Sequence, residues 1–364
     1  MSISSVESTE RSAGRGGSAQ TRHPAEQPFP LNQWYIAAFS HEVTRQPLAR
    51  TLLGKPVLLY RTEAGAAVAL HDRCPHRGLP LSMGKLVGDD VQCGYHGMRF
   101  RPDGSCSDIP SQAVIPGTMR VRRYPLVEKW QWVWIWGGDP ALADESLIPD
   151  HEWLGVTRQG YHPQPFFMME IRGNYQFMHD NLLDSTHVSF LHPGALDSGD
   201  EMASAKITIE EKGQILRISY DTPGSKFSEA VARYFRVQPG KPYDRILSNE
   251  TFVPSVSIGK QSIRDPEQPE APPVELSAIN ALTPASRDKT YVFHTQITSF
   301  DANWTPADIE NVRNIVAQDK VAIEALQARY EEFGETDEIS VKGDSMGIRS
   351  RRAIDALIRR ERGD

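Results

Sequence analysis

Two short cysteine–histidine pairs constrain this chain more than any other feature: Cys74-Pro75-His76 and Cys93-Gly94-Tyr95-His96. Each pair offers one thiolate and one imidazole. The sixteen residues between them hold the loop formers Gly78, Pro80, Gly84 and Gly88. Two such loop tips, facing each other, supply two ligands to each iron of a [2Fe–2S] unit, cysteines on one iron and histidines on the other. Tetrahedral zinc takes the same residue types. Zinc fingers, however, place two cysteines first and two histidines later. The mixed pairs therefore select a cluster held by Cys74, His76, Cys93 and His96.

The flanks carry a family likeness. His71-Asp72-Arg73-Cys74-Pro75-His76-Arg77-Gly78 and Cys93-Gly94-Tyr95-His96-Gly97 resemble the Rieske domain of ring-hydroxylating oxygenases. Gly94 stands where the family commonly has proline and Met98 where it has tryptophan, and neither departure removes a ligand. Respiratory Rieske proteins join their loops by a disulfide. The equivalent positions here are Leu79 and Tyr95, so that bridge is impossible. The centre is then expected toward the low end of the Rieske potential range. His71 reads as a structural loop residue.

A second concentration of chemistry lies at Asn181-Leu182-Leu183-Asp184-Ser185-Thr186-His187, continuing to His192-Pro193. Asp180, Asp184 and His187 fall at i, i+4 and i+7, one face of a helix predicted over residues 175–190. His192 lies about 140° round from His187 on an ideal helix. The imidazoles converge if the helix loosens near its end, where Pro193 and Gly194 supply a stop. Two histidines and a carboxylate with open positions form the facial triad of non-haem Fe(II) oxygenases.

The spacing Asp-x3-Asp-x2-His-x4-His resembles the iron-binding segment of Rieske non-haem iron oxygenases. That resemblance implies that His187 and His192 are iron ligands. It also implies that Asp184 links His187 to a cluster histidine, His96, of a neighbouring subunit. Asn181 resembles a residue found near the iron in the O-demethylase branch.

A third ligand is sought in a helix predicted over residues 306–333, with Thr305 as N-cap, Pro306 at N1 and Asp308 at N3. Ile309, Val312, Val316, Ile323, Leu326 and Tyr330 form its apolar stripe, and Asp319 falls inside it. A carboxylate there is costly unless it is paired or coordinates a metal. Asp319 is therefore preferred over Asp308, Glu310 and Glu324. The segment 318–325 also resembles the aspartate-ligand helix of vanillate and dicamba O-demethylases.

Composition sets outer limits. The chain has 364 residues, 47 acidic against 40 basic side chains and a net charge of −7. No global basic field favours nucleic acid or an anionic membrane. Three cysteines leave Cys106 without a partner, which excludes a disulfide framework and fits a reducing cytoplasm. Residues 1–28 read as a disordered tail with no apolar run for a signal peptide, and no later stretch is long enough to span a bilayer.

The expected fold class is α+β. Residues 29–140 read as an all-β Rieske domain of short strands, with Trp132, Trp134 and Trp136 on one strand face as a core or interface stripe. The stretch 139–152, with Pro140 and Pro149, links it to a catalytic domain over 141–364. There, strands are expected at 207–210, 214–220, 251–259, 274–282 and 290–300, and helices at 175–190, 227–235, 306–333 and 346–362. The family resemblance implies a helix-grip domain, an antiparallel sheet enclosing the substrate.

The resemblance covers residues 31–362 and is closest to the vanillate and dicamba O-demethylase oxygenase components. It implies an oxygenase that hydroxylates an aromatic substrate with O₂, chiefly as O- or N-demethylation. Implied cofactors are a Rieske [2Fe–2S] cluster and mononuclear Fe(II). The chain carries no dinucleotide fingerprint, so NAD(P)H enters only through a separate reductase, with or without a ferredoxin. A homotrimer is implied, and Arg73, Arg77, Lys85, Arg99 and Arg101 near the cluster loops suit an acidic partner. Asn280 is placed like a polar substrate contact of the dicamba enzyme. The rivals are ring hydroxylation at the same iron, a Rieske electron carrier, and a subunit that has lost its iron. A carrier would lack the later histidines, and the candidate ligands are intact.

Overall fold

A computed structural model of the chain describes residues 29–193, 205–334 and 338–363. The tail expected over residues 1–28 lies outside them, as does Gly194. Seventeen strands and six α-helices are described.

The first ten strands make three small antiparallel sheets. Trp34–Phe39 (β1), Leu126–Lys129 (β9) and Trp132–Trp136 (β10) form one, with β10 central. Leu48–Leu52 (β2), Lys55–Arg61 (β3) and Ala67–His71 (β4) form the second. Lys85–Val87 (β5), Asp90–Gln92 (β6), Arg99–Phe100 (β7) and Cys106–Asp108 (β8) form the third and carry the cluster loops at its end. Each residue of β10 is buried. The indoles of Trp132 and Trp134 pack edge to face at 5.9 Å, so the tryptophan stripe is core.

A seven-stranded antiparallel sheet follows: His162–Ile171 (β11), Lys206–Lys212 (β12), Ile215–Lys226 (β13), Pro242–Phe252 (β14), Val256–Arg264 (β15), Val274–Ser286 (β16) and Lys289–Thr298 (β17). Its order is β11-β17-β16-β15-β14-β13-β12. Six helices accompany it: His151–Leu154 (α1), Tyr175–Leu183 (α2), Val188–Leu191 (α3), Glu229–Phe235 (α4), Pro306–Phe333 (α5) and Ser345–Arg362 (α6). The fold is an α+β chain, a cluster-bearing all-β region followed by an antiparallel sheet gripped by helices. No helix among the described residues is long and apolar enough to cross a membrane.

Three expectations change. The segment 251–259 is not one strand: β14 ends at Phe252, residues 253–255 turn, and β15 begins at Val256. The helix expected over 175–190 breaks at Asp184. Strand β11 is an addition to the expected set, because Pro163 and Pro165 interrupt its pattern. Both are tolerated because β11 lies at the sheet edge, where a missing N–H costs no ladder bond.

One apolar core runs through both halves. Tyr35, Trp132 and Trp134 pack with Ile258, Ile279 and Phe293 of the large sheet. Main-chain bonds run from Leu53 N–H to the Pro284 carbonyl at 2.7 Å and from Gly54 N–H to the Ala285 carbonyl at 2.8 Å. The Thr283 hydroxyl donates to the Ile36 carbonyl at 2.7 Å. These contacts fix the cluster-bearing tip relative to the catalytic sheet.

Candidate metal centre

The two cluster loops fold alike. Cys74 N–H bonds the Leu79 carbonyl and Gly78 N–H returns to the Cys74 carbonyl, both at 2.8 Å. In the second loop Cys93 N–H bonds the Met98 carbonyl at 2.8 Å and Gly97 N–H returns to the Cys93 carbonyl at 3.1 Å. Gly78 and Gly97 take φ of 80° and 72°, the left-handed region that such turns require. A Cβ at Gly84 would sit 1.9 Å from the Gln92 carbonyl oxygen, so only glycine lets the intervening strand approach. Asp72 pins the loop by accepting from Ser82 N–H at 2.7 Å and from its hydroxyl at 2.6 Å. His71 is a strand residue whose Nδ1 lies 3.2 Å from the Tyr124 hydroxyl.

The donor set fits a [2Fe–2S] cluster. Both thiols are 2% exposed, while His76 and His96 lie at the surface, their rings 4.6 Å apart. Burial pushes the Cys74 thiol up, while the main-chain N–H of His76 aims at the sulfur and the neighbouring Cys93 thiol raises it further. A cationic cluster would hold both sulfurs as thiolates, and such N–H contacts then stabilise them.

The second centre begins with the break at Asp184. This residue takes φ −113° and ψ 103°, which stops α2 and starts a 3₁₀ turn, Ser185–His187. Its carboxylate accepts from Thr186 N–H at 2.8 Å and from the Thr186 hydroxyl at 2.9 Å. Its main-chain carbonyl lies 2.5 Å from His187 Nδ1, which leaves Nε2 facing inward. Asp180, Asp184 and His187 therefore do not share one helical face. Asp180 points away and pairs with Arg351 of α6.

His187, His192 and Asp319 converge, each offering one ligand atom within 4.8 Å of the others. Oδ1 of Asp319 lies 3.1 Å from His192 Nε2 and 3.5 Å from His187 Nε2. His192 Nδ1 lies 2.7 Å from Gln318 Oε1, a partner that sequence patterns do not single out. Burial opposes a charge on His192, but the Asp319 and Gln318 hydrogen bonds outweigh it and raise its pKa. Asn181 donates to Asp319 Oδ1 at 3.1 Å, while its own Oδ1 is buried with no partner. Two imidazoles, one buried carboxylate and an orphaned acceptor fit a ferrous ion carrying water.

The triad opens on a cavity of about 470 Å³. Met178, Leu182, Val312 and Val316 give it apolar walls, and Asn249, Gln261, Asn280, His294 and Gln296 add polar groups from the sheet. Of these only Asn280 is expected from the sequence. Asn249 donates to the Ser185 hydroxyl at 2.6 Å, tying β14 to the turn that carries His187.

Residues 33–125 match the Rieske [2Fe–2S] domain and residues 171–360 match the vanillate O-demethylase oxygenase C-terminal domain. With the sheet, the paired loops and the triad, these matches define the class: the chain belongs to the Rieske non-haem iron oxygenases of the vanillate O-demethylase family. Its cofactors are a Rieske [2Fe–2S] cluster and a mononuclear iron.

Among individual relatives, the iron-sulfur subunit of a toluene-4-sulfonate monooxygenase system from Comamonas testosteroni is 31% identical over 92% of this chain and 99% of the relative. The dicamba O-demethylase oxygenase component of Stenotrophomonas maltophilia is 30% identical over 90% and 98%. A crystal structure of dicamba monooxygenase bound to 3,6-dichlorosalicylic acid matches with a TM-score of 0.82 at 29% identity, covering 93% of this chain and all of that one.

Proposed function

We propose that this chain is the terminal oxygenase of a multicomponent system that removes an O- or N-alkyl group, most simply a methyl, from an aromatic substrate. The convergence of His187, His192 and Asp319 on one wall of a roofed cavity carries this reading. Relatives named for O-demethylation and for N-alkylformylase activity support dealkylation. Ring hydroxylation at the same centre is the alternative.

The bound cofactors together supply two electrons to O₂, so that one oxygen atom enters a substrate C–H bond and the other leaves as water. A hydroxylated O-methyl is a hemiacetal, which collapses to formaldehyde and a phenol. An N-methyl gives a hemiaminal with the same fate.

The residues take separable roles in this proposal. His187, His192 and Asp319 hold the ferrous ion, and Cys74, His76, Cys93 and His96 hold the cluster. Asn181 and Gln318 position Asp319 and His192. Asp184 orients His187 through its carbonyl. Met178, Leu182 and Val316 keep the reacting carbon out of bulk water. Asn280 contacts substrate.

The division into residues 29–140 and 141–364 belongs to the same proposal, with the cluster in the first part and the iron in the second. Electron entry then runs between copies, from His96 to the Asp184 side of the partner subunit in a closed trimer. Exposed Met83 and Tyr95 beside the cluster loops, and Phe190, Ile339 and Val341 on the Asp184 side, support such a contact.

A separate reductase, with or without a ferredoxin, supplies electrons in the cytoplasm. Arg73, Arg77, Lys85 and Arg101 are exposed near the tip and suit an acidic partner. Arg99 is half-buried, 3.9 Å from Asp108.

An aerobic assay with a surrogate reductase against methoxy-, N-alkyl- and unsubstituted arenes tests the function. Aldehyde release matched to substrate loss is expected. Diol without aldehyde rejects dealkylation in favour of ring attack.

A further inference from the structure

The open space of the cavity lies over two of the smallest residues in the large sheet. On the cavity face Asn249 (β14), Gly259 (β15), Ala278 (β16) and Gln296 (β17) pair in register and form one row across four strands. Adjacent strands lie about 4.8 Å apart, so the row runs about 14 Å. Ser257 and Asn280 flank it on one side, Gln261 and Leu276 on the other, and all four are buried. Gly259 and Ala278 are only half-buried, although they lie inside the sheet beneath the helices that wall the cavity. What they expose is cavity floor.

The fold itself gives no reason for Gly259. It stands in the middle of β15, where glycine weakens a strand. Its φ is not positive, and the ladders to β14 and β16 run through it without a bulge. A Cβ there would meet no described atom closer than Asn249 Oδ1 at 3.8 Å, an ordinary contact. Gly173 is the contrast, since its Cβ would fall 2.5 Å from an Ile323 methyl carbon. The missing methyl at Gly259 therefore makes room for what occupies the cavity, not for the protein's own packing.

The row also has a direction. Asn249 donates to the Ser185 hydroxyl, in the turn that carries His187, so its end is the metal end. At the far end Gln296 Oε1 accepts from the Tyr234 hydroxyl of α4 at 2.5 Å. A cavity of about 150 Å³ already holds benzene. This one, at about 470 Å³, has room for more than one ring.

Resting on the oxygenase reading above, we infer that Gly259 and Ala278 seat a flat arene of two fused rings. Its alkyl group lies at the Asn249 end, the first ring over Gly259 and the second over Ala278. Because the row is straight, the group attacked continues the long axis of the ring pair. A group set on the short axis would drive the second ring into one of the flanking rows. Apolar area buried on the floor supplies the affinity, and the flanks supply the shape selection.

Anaerobic equilibrium dialysis of the oxidised holoenzyme tests this with 2-methoxynaphthalene, 1-methoxynaphthalene and methoxybenzene. The two isomers carry the same atoms, so a difference between them reports shape. The 2-isomer is expected to bind about tenfold or more tighter than the 1-isomer. Ala278→Val should lower the affinity ratio of 2-methoxynaphthalene to methoxybenzene about tenfold, because it fills the second seat. Gly259→Ala should weaken both arenes about tenfold. Its ligand-free melting temperature should nevertheless equal or exceed that of the wild type, because the added methyl clashes with nothing and stiffens the unfolded chain.

A glycine kept for the fold would behave oppositely, with earlier unfolding and unchanged affinity, and that result overturns the inference. Equal binding of the two isomers by the wild type does so too. Gly259→Ala carries the test should Ala278→Val fail to fold, and cluster absorbance reports folding in both. Isomer preference without O₂-dependent turnover sinks the oxygenase reading and spares this one. Formaldehyde release with both isomers bound alike does the reverse.

Discussion

The main-chain carbonyl of Asp184 lies 2.5 Å from Nδ1 of His187, while the carboxylate of the same residue caps the turn on which that histidine stands. One residue thus ends a helix, starts the next turn and sets which imidazole nitrogen faces the metal. A carbonyl holding Nδ1–H leaves Nε2 as the ligand atom, the usual way a buried partner fixes a metal-binding tautomer.

The cap and the proposed electron path separate by substitution. Asp184→Ala should cost about 0.5–2 kcal/mol in stability and lower iron retention. Asp184→Asn keeps an accepting oxygen and should hold both near wild type. If the carboxylate also serves electron entry, the asparagine variant retains iron yet loses turnover. Iron content, thermal unfolding and O₂ consumption on the same preparations read the three effects.

Asn181 shares Oδ1 of Asp319 with His192. Removing its amide frees the carboxylate to rotate. Asn181→Ala should weaken Fe(II) binding by about 10–100-fold, with the cluster spectrum unchanged. A competitive chelator titration measures it, and an unaltered affinity would show that Asn181 does not position Asp319.

Behind the centre, Asp180 and Arg351 form an ion pair that holds α2 against α6. Burial raises the Asp180 pKa, so the pair exists because the guanidinium is there. Arg351→Met should destabilise by about 1–3 kcal/mol, because it leaves a half-buried carboxylate without its cation. The double change Asp180→Asn with Arg351→Met should be milder than the single one. Denaturant midpoints of the three variants decide.

Burial lowers the pKa of His179 from 6.5 to about 4, and that of His294 to about 3. The unfolded chain binds these protons first, so stability is full above pH 6.5 and falls as pH drops toward 4. Each pH unit in that window should cost up to about 1.4 kcal/mol per histidine. His179→Gln should flatten the pH dependence of the urea midpoint. A stability that rises on acidification would reject the neutral assignment.

Much of the site is legible in the amino-acid sequence. The cysteine–histidine pairs announce themselves by spacing. Asp319 stands out as a charge inside an apolar stripe, and the Thr305–Asp308 capping box begins its helix as expected. The break at Asp184 is hidden, because a helical count treats residues 180–187 as continuous while an Asp cap bonds the backbone locally instead.

Strand β14 is hidden for a functional reason. Its inward positions include Arg245 and Asn249 rather than uniformly apolar residues, so the alternation that marks a half-buried strand is blurred by the cavity it lines. Gln318, Gln261, His294 and Gln296 escape notice alike. Each carries meaning only through a partner distant in sequence, and one chain without aligned relatives shows no such pairing.

The most direct test is iron and labile sulfide analysis of Asp319→Ala beside the wild type, with turnover on the same samples. The account predicts about three irons and two sulfides per wild-type chain, two irons in the cluster and one on the triad. The variant should hold about two of each, keep its cluster absorbance and lose product formation. Full iron and undiminished turnover in Asp319→Ala would contradict the proposed centre.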